Sequence, residues 1–300
     1  MSGCHPLSTS TAKLGSIALR IGRLLCLYAR MDETDYPLER SDRERVRLTS
    51  QAAILRPYTE RLLRSAGARE GASVLDLGTG AGDVALLAAE IVGASGRVVS
   101  IDIDADHVTH ARKRATDAGL NNVTFAQGDI NAPPTDAPFD LAVGRYVLMY
   151  QKDPVATVRA VANAVRAGGA VGFHELNMYE GVRGDMWPES PAGQGDAMQS
   201  MGPGLFARVQ NHMGVRLPEV FAAAGLDISD WGFEGAAPIS PLTARKESML
   251  RVLEAARKRS REATGVEDPK LDAFERWWRD APPYAAMLQP PAVLGWARKP

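Results

Sequence analysis

The chain has 300 residues, of which 45% are hydrophobic and 24% are charged, and its formal net charge is −1. This is the composition of an ordinary globular protein, and the length fits one α/β domain of roughly 200 to 250 residues with additions. The near-neutral charge favours neither nucleic acid nor an anionic membrane as a partner, and both cysteines lie in the first 30 residues, which excludes a disulfide framework from the rest of the chain.

The N-terminal segment differs in composition from everything that follows. Residues 1–31 contain no Asp or Glu but many Ser and Thr, and Arg20 and Arg23 interrupt their longest apolar stretch. A transit peptide has this composition, and so does unselected sequence translated ahead of a start at Met31. We expect 1–31 to be a poorly structured extension that does not span a membrane. A reducing, cytoplasmic setting fits the scarcity of cysteine.

Helical and strand patterns follow in a regular order. Residues 32–70 are predicted to form a helical cap of two helices, because apolar residues recur at helical spacing and Pro57 interrupts them. From 71 to 176, five apolar, Val-rich strands alternate with helices. This alternation is typical of a parallel sheet with helices on both faces. We therefore predict an α/β fold with a doubly wound, mostly parallel sheet.

The C-terminal part completes this sheet and adds to it. Residues 177–215 are rich in Gly, Pro and Met without a clear period, which predicts a cap or lid insert. Residues 216–300 return to helix and strand, with added helices between 240 and 285. About seven strands are expected in all. A basic run at 257–261 is predicted to be a solvated helix face.

The first strand ends in the turn VLDLGTGAGD, where Gly78, Gly80 and Gly82 lie between Asp76 and Asp83. Ligands of open parallel sheets bind at the carboxyl ends of the strands, so this turn is the predicted binding site. A phosphate loop would need a Gly-Lys-Ser/Thr ending, which is absent here. The two carboxylates would repel pyrophosphate but attract an amine.

Two further acids fit a nucleoside that carries such an amine. Asp102, in VVSIDID, lies 20 residues beyond Gly82, the spacing expected for an acid that holds ribose hydroxyls. Asp129 closes the third strand, where it can meet an adenine, and Ile130 can pack on the ring. S-adenosylmethionine has an amine and a sulfonium but no phosphate. It therefore fits the acids at the glycine turn, the ribose acid Asp102 and the adenine position at Asp129.

Between residues 74 and 175 the chain resembles the class I S-adenosylmethionine-dependent methyltransferases of the small-molecule type. Five motifs occur in the family's order and at its usual intervals: VLDLGTGAGD, VVSIDID, FAQGDI, FDLAVGRYVLMY and RAGGAVGF. The resemblance implies a Rossmann-like sheet with helical cap additions and S-adenosyl-L-methionine as the cofactor. The cofactor-binding residues that it implies are Asp76, Gly78, Thr79, Gly80, Gly82, Asp102, Ile103, Asp129, Ile130 and Arg145.

Arg145 follows Gly144 in the fourth-strand motif, in or just after the strand, and by the resemblance would line the sulfonium side of the cleft. A charge beside a buried strand is costly unless it is paired. Arg145 is therefore expected either to pair structurally, with Asp76 or Asp129, or to face the cofactor carboxylate. Both alternatives remain open from the sequence.

The acceptor side offers three candidate catalytic residues. His174 and Glu175 end the fifth strand, and because neighbouring strand residues point to opposite faces, only one of them can face a methyl acceptor. Among these residues Glu175 is the preferred base or orienting group, but structural hydrogen bonding is its default role, and His212 is a second candidate base. An apolar acceptor pocket, or equally the buried underside of a lid, is predicted from Tyr36, Trp187, Met178, Met186, Met198, Met201 and Met213.

No metal site is predicted. His107 and His110 are spaced like a metal-binding pair on a helix, but no third ligand is evident. We expect both histidines to be ordinary exposed residues.

These patterns favour a methyltransferase that moves the methyl group of S-adenosylmethionine to O, N or C of a small, partly apolar molecule in specialised metabolism. The alternatives are an NAD-dependent oxidoreductase and a non-catalytic S-adenosylmethionine-binding protein. The expected partner is a small-molecule acceptor, with no nucleic acid and no membrane, and a homodimer is left open.

Overall fold

The computed structural model describes residues 42–135, 138–177, 210, 212–236, 239–265, 269–280, 286–288 and 291–300, all within one structural unit that spans residues 38–300. The predictions for 1–31 and for most of 177–215 lie outside the described residues. So do those for Tyr36, Trp187, Met178, Met186, Met198 and Met201.

The described helices and strands follow the order expected from the sequence. The helices are α1 Asp42–Ser65, α2 Asp83–Val92, α3 Ala105–Asp117, α4 Pro154–Ala164, α5 Met213–Ala224, α6 Leu242–Thr264 and α7 Pro269–Asp280, with a short 3-10 helix at Leu148–Tyr150. The strands are β1 Ser73–Leu77, β2 Arg97–Asp102, β3 Val123–Gln127, β4 Phe139–Arg145, β5 Val165–Leu176, β6 Asp227–Ala236, β7 Ile239–Pro241, β8 Ala286–Leu288 and β9 Ala292–Arg298. No described helix is long and apolar enough to cross a membrane.

Seven strands form one mixed sheet in the order β3-β2-β1-β4-β5-β9-β6. Strands β1 to β5 pair in parallel, and β9 runs antiparallel to both of its neighbours. The short strands β7 and β8 form a separate antiparallel pair. The order reverses between β1 and β4, which is where ligands bind in open parallel sheets. The predicted doubly wound, mostly parallel α/β fold is confirmed.

The sheet separates two hydrophobic cores. On one side, called face A, helices α1, α2 and α3 pack on the strands, and on the other, called face B, α4 and α5 do so. Strand residues alternate between the two, so Val74 lies in the face A core while Leu75 and Leu77 lie in the face B core. The same alternation directs Asp76 to face A.

The prediction of two helices before β1 is wrong, because α1 is a single helix of 24 residues that contains Pro57. A proline inside a helix removes one backbone hydrogen bond. The helix is held instead by burial of one face, including Leu55, Leu62 and Leu63, which are at most 3% exposed. Helices in proteins owe most of their stability to such packing, which local sequence signals do not report.

The added helices α6 and α7 lie within the predicted range 240–285. They pack through Leu253, Phe274 and Trp278, each 1% exposed. In the basic run, Arg257 pairs with Asp272 at 2.6 Å and with Glu275 at 2.7 Å. This arginine therefore joins the two helices, unlike the solvated face that the sequence predicts.

Candidate cofactor and active site

The glycine turn after β1 uses backbone conformations that glycine adopts most readily. The φ angles of Gly78, Gly80 and Gly82 are +76°, +50° and +91°. A Cβ at Gly78 would lie 2.4 Å from Cγ1 of Val147, and one at Gly82 would lie 2.9 Å from Cβ of Ala111. The turn is thus packed against the loop after β4 and against α3.

Asp102, the last residue of β2, is bonded to this turn. Its Oδ2 accepts the backbone N–H of Gly80 at 2.9 Å, and its Oδ1 accepts that of Asp104 at 2.9 Å. Burial alone would raise the pKa of Asp102, but these bonds and one from His107 outweigh it and hold the pKa below its ordinary value. The predicted ribose ligand is therefore an ionised carboxylate in a fixed orientation.

The expectation that His107 and His110 are exposed is wrong, since both are half-buried. The side chain of His107 is 13% exposed, and its Nδ1 lies 3.4 Å from Oδ2 of Asp102. Asp104 caps α3 by accepting the N–H of Asp106 at 2.8 Å, which places His107 in the first turn, above the end of β2. The capping residue in the sequence was the signal that could have located this contact. The described residues contain no group of three His, Cys, Asp or Glu suited to a metal ion.

Asp76 is fully buried on face A. Its Oδ2 accepts the hydroxyl of Ser100 at 2.7 Å, and Ser100 Oγ lies 2.6 Å from Oγ1 of Thr79. Its Oδ1 has no hydrogen-bond partner among the described residues. Burial raises the pKa of Asp76 to about 7, against the lowering effects of Ser100 and Arg145. An unpaired carboxylate oxygen suits the amine of S-adenosylmethionine.

Arg145, the last residue of β4, donates from Nη1 to Oγ1 of Thr59 in α1 at 3.2 Å. Within the described ranges, no carboxylate lies within ion-pair distance of it, and Asp83 pairs instead with Arg114 at 2.9 Å. The structural alternative, a pair with Asp76 or Asp129, is therefore not formed here. Burial lowers the pKa of Arg145 while Asp83, Tyr146 and Asp76 act in the opposite direction, and arginine keeps its charge in proteins.

The residues predicted at the adenine differ in their surroundings. Asp129 is exposed, and its Oδ1 accepts the backbone N–H of Asn131 at 2.8 Å and its side-chain amide at 3.0 Å. Ile130 is 9% exposed and packs in the face B core. Ile103, next to Asp102, is 54% exposed. Ile103 therefore offers exposed apolar surface beside the ribose acid.

Glu175 is fully buried and holds the loop after β4. Its carboxylate accepts the backbone N–H groups of Val147, Leu148 and Met149 at 2.9, 2.8 and 3.3 Å. Burial raises the pKa of Glu175 to about 7, although the three bonds act to lower it. These contacts favour the structural alternative over the predicted role as a base.

His174 is fully buried beside the turn that Tyr146 makes after β4. Its carbonyl accepts the Tyr146 N–H at 2.8 Å, and the two rings meet edge to face with centroids 5.0 Å apart. Neither ring nitrogen has a hydrogen-bond partner among the described residues. Tyr146 is the one described non-glycine residue with a positive φ, +58°. Such strain occurs preferentially at functional sites.

The remaining predicted residues lie apart from this group. His212 is exposed at the start of α5, and its role as a base stays a prediction. Met213 packs in the face B core, so the predicted place for it in an acceptor pocket is not supported. Gln210 donates its backbone N–H to the carbonyl of Met149 at 2.8 Å, which joins the end of the predicted lid to the loop after β4.

The structure thus assembles most of the predicted cofactor residues at one edge of the sheet. Asp76, Asp102 and Arg145 end adjacent parallel strands, and the glycine turn lies beside them. His174 stands opposite Arg145 on β5. An ionised ribose acid, an open glycine backbone and an unpaired buried carboxylate oxygen fit a nucleoside that carries an amine.

Comparison with known proteins agrees with this geometry. Residues 68–194 match the family model described as a methyltransferase domain. Over 118 residues the chain is 36% identical to aklanonic acid methyltransferase DauC of Streptomyces sp. (strain C5), and 33% identical to the ubiquinone/menaquinone biosynthesis C-methyltransferase UbiE of Shewanella woodyi. Each alignment covers 39% of this chain, and 54% and 47% of the relative, respectively. The chain therefore spans about half the length of the curated relatives that it matches.

Solved structures show the same fold at low sequence identity. A Bacillus halodurans protein aligns over 81% of this chain and 98% of its own, with a TM-score of 0.54 and 17% identity. The YcgJ protein of Bacillus subtilis aligns over 81% and 99%, with a TM-score of 0.51 and 17% identity. The family model over residues 68–194 and the named relatives therefore support a class I S-adenosylmethionine-dependent methyltransferase domain in this chain.

Proposed function

We propose that this protein transfers the methyl group of S-adenosylmethionine to O, N or C of a small, partly apolar molecule in specialised metabolism. The observation that carries the proposal is the bond from Gly80 N–H to the ionised Asp102 carboxylate, which fixes the turn and the ribose acid together. Pyrophosphate cofactors place their phosphates at such a turn, and the buried carboxylate of Asp76 disfavours that arrangement.

The cofactor residues have separate tasks in this proposal. Asp102 accepts the ribose hydroxyls, Ile103 packs on the adenosine, and Asp76 with the backbone of Gly78 and Gly80 binds the methionine part. Asp129 and Ile130 remain the predicted adenine residues. When bound, S-adenosylmethionine supplies a methyl group made electrophilic by its sulfonium.

Positioning accounts for most of the catalysis that the described residues support. Holding two reactants in line in a closed site contributes up to roughly 7 to 11 kcal/mol. A base adds about 10² to 10⁴-fold where the acceptor must lose a proton, but Glu175 already accepts three backbone bonds. We infer that Glu175 positions the loop after β4 and does not take a proton from the acceptor.

The names of the relatives support a small organic acceptor. One relative is named for aklanonic acid and the other for ubiquinone/menaquinone biosynthesis, and these compounds are small organic molecules. The Met-rich composition of 177–215 supports an apolar acceptor for this chain as well. A polyanionic acceptor is disfavoured by a net charge of −1 and the acids at the cleft.

Calorimetry with S-adenosylhomocysteine tests the cofactor part of the proposal. The wild type should bind it and should not bind NAD, and Asp102→Ala should abolish binding because the ribose hydroxyls and Gly80 N–H lose their acceptor. Asp106→Ala removes an exposed acid four residues away and should keep wild-type affinity.

Turnover with phenols, quinols and polyketide-type acids then tests the transfer itself. Formation of adenosylhomocysteine with at least one of these acceptors is expected. Retained affinity in Asp102→Ala, or binding of NAD in preference to S-adenosylhomocysteine, would contradict the assignment. Binding of S-adenosylhomocysteine without turnover on any acceptor would support the alternative of a non-catalytic S-adenosylmethionine-binding protein.

A further inference from the structure

Two buried polar groups on face A have no hydrogen-bond partner among the described residues. They are the ring nitrogens of His174 and Oδ1 of Asp76. Native proteins leave few such groups, because an unsatisfied buried donor or acceptor destabilises the folded state. Both groups stand near the carboxyl ends of central strands, where the proposed cofactor binds. They are therefore expected to face a ligand.

Arg145 lies between these two groups. Asp76 pairs with Val143 on β4, and Arg145, two residues further along the same strand, pairs with His174 on β5. Side chains two apart on a strand share a face, and paired residues on neighbouring strands are about 5 Å apart. Asp76, Arg145 and His174 therefore form a row across three adjacent strands.

The charges in this row follow a definite order. Burial and the positive charge of Arg145 lower the pKa of His174 to about 3, so its ring is neutral, with one N–H donor and one acceptor nitrogen. The strand register places Arg145 beside His174 and Asp76 on the next strand, and the charge of Arg145 lowers the pKa of both groups. An ammonium suits the Asp76 end, and a carboxylate suits the end formed by Arg145 and His174.

This order matches the zwitterionic amino-acid part of the cofactor. We propose that His174 is a cofactor-binding residue whose ring N–H, together with the Arg145 guanidinium, receives the carboxylate of the amino-acid part of S-adenosylmethionine. The proposal rests on the proposed function, and it assigns to His174 a role on the cofactor side in place of the acceptor side.

The surroundings of His174 hold its ring by packing and leave both nitrogens without a hydrogen-bond partner among the described residues. The Tyr146 ring meets it edge to face, and the Tyr146 N–H is bonded to the His174 carbonyl. Glu175 fixes the loop that follows Tyr146 through its bonds to the N–H groups of Val147 and Leu148. The positive φ of Tyr146 is thus accompanied by contacts from both His174 and Glu175, near the end of β5.

Two ligands separate this role from a structural one. S-adenosylhomocysteine carries the amino-acid part, whereas 5′-methylthioadenosine has the same adenosine without it. For His174→Leu we expect the affinity for S-adenosylhomocysteine to fall about tenfold or more, ~1.4 kcal/mol. The affinity for methylthioadenosine should stay within about twofold, because the adenosine contacts are independent of residue 174.

Stability and rescue give two further measurements. The melting temperature of ligand-free His174→Leu should equal or exceed that of the wild type, since the variant removes two unsatisfied nitrogens from the core. His174→Asn keeps an N–H donor near the Nδ1 position and should recover part of the lost affinity for S-adenosylhomocysteine. Val171→Ala, a buried change on face B of the same strand, is the control that lowers stability without changing the ratio of the two affinities.

The proposal is overturned if His174→Leu loses affinity equally for both ligands, or if its affinity for S-adenosylhomocysteine is unchanged. It is also overturned if His174→Leu loses only turnover, because that result would assign His174 to acceptor binding. A wild type that binds neither ligand would remove the proposed function and this inference together. A wild type that binds both, with no effect of His174→Leu on their ratio, would remove this inference alone.

Discussion

Glu175 shows how a single residue takes its role from its neighbours. The sequence places it at the lip of the sheet beside His174, and from that position structural hydrogen bonding is the default role and a base the candidate one. The structure turns its carboxylate to three consecutive backbone N–H groups of the loop after β4. Because those donors lie 26 to 28 positions away in the chain, no local pattern reports the contact.

Glu175→Gln tests this role through the free energy of unfolding. Its amide keeps one acceptor oxygen but turns an N–H₂ group toward backbone donors, so we expect a loss of about 1 to 3 kcal/mol at pH 5. Burial raises the pKa of Glu175 from 4.5 to about 7, so the folded wild type binds more protons than the unfolded chain between these values. The stability that this proton confers is present below pH 4.5 and is lost as the pH rises through 7.

The difference between wild type and Glu175→Gln should therefore shrink between pH 5 and pH 8. Urea titrations of both proteins across this range measure it, and other groups, including Asp76, cancel in the difference. A difference that stays constant or grows with pH would show that the folded protein does not favour the protonated carboxyl.

At the scale of elements, the turn between β1 and α2 and the loop after β4 act as one unit. Gly78 packs against Val147, which leaves no room for a Cβ there, and its φ of +76° disfavours any residue with a side chain. The sequence predicts the turn and its ligand class, because glycine spacing and strand position are local. It does not predict the contact with Val147, which requires β1 and β4 to be neighbours.

Gly78→Ala should displace the loop after β4. Its Cβ would lie 2.4 Å from Val147 and would require a positive φ in alanine, which costs roughly 1 to 2 kcal/mol before the clash is counted. We expect lower stability and a loss of S-adenosylhomocysteine affinity of at least about tenfold, measured by thermal unfolding and calorimetry.

Gly119→Ala is the matched control for this change. Its φ is +69°, close to that of Gly78, but nothing lies within 4 Å of the added Cβ. It should lose stability through backbone strain alone and keep its affinity. Equal affinities in the two variants would mean that the contact with Val147 has no part in cofactor binding.

At the scale of the whole molecule, the sheet divides the chain into two cores with different tasks. The polar row Asp76, Arg145 and His174 lies on face A under α1, whereas Phe221 and the rest of the α5 core lie on face B. Stability and cofactor affinity should therefore be separable by substitutions on face B.

Phe221→Ala tests this separation. Phe221 is fully buried, with ring centroids 6.2 Å from Phe173 and 5.9 Å from Phe233, and its truncation should cost about 3 to 5 kcal/mol. Affinity for S-adenosylhomocysteine should stay within about twofold at a temperature where the variant is folded. Phe221→Leu should lose less stability with the same affinity. A fall in affinity that tracks the loss of stability would contradict the division.

The sequence by itself determined the alternation of apolar strands and helices along the chain, the glycine turn, and the position of Asp102 20 residues beyond Gly82. These features depend on local periodicity and spacing, which is why the fold class and the ligand class followed from them, while the family was implied by the resemblance of five motifs in order. The tertiary structure alone decided that α1 continues through Pro57, that His107 approaches Asp102, and that Arg145 bonds Thr59 instead of Asp76 or Asp129. It also decided the partners of Glu175 and left the ring nitrogens of His174 without a hydrogen-bond partner among the described residues. Each of these depends on which strands and helices become neighbours, and burial and electrostatics between distant residues are set only by that arrangement.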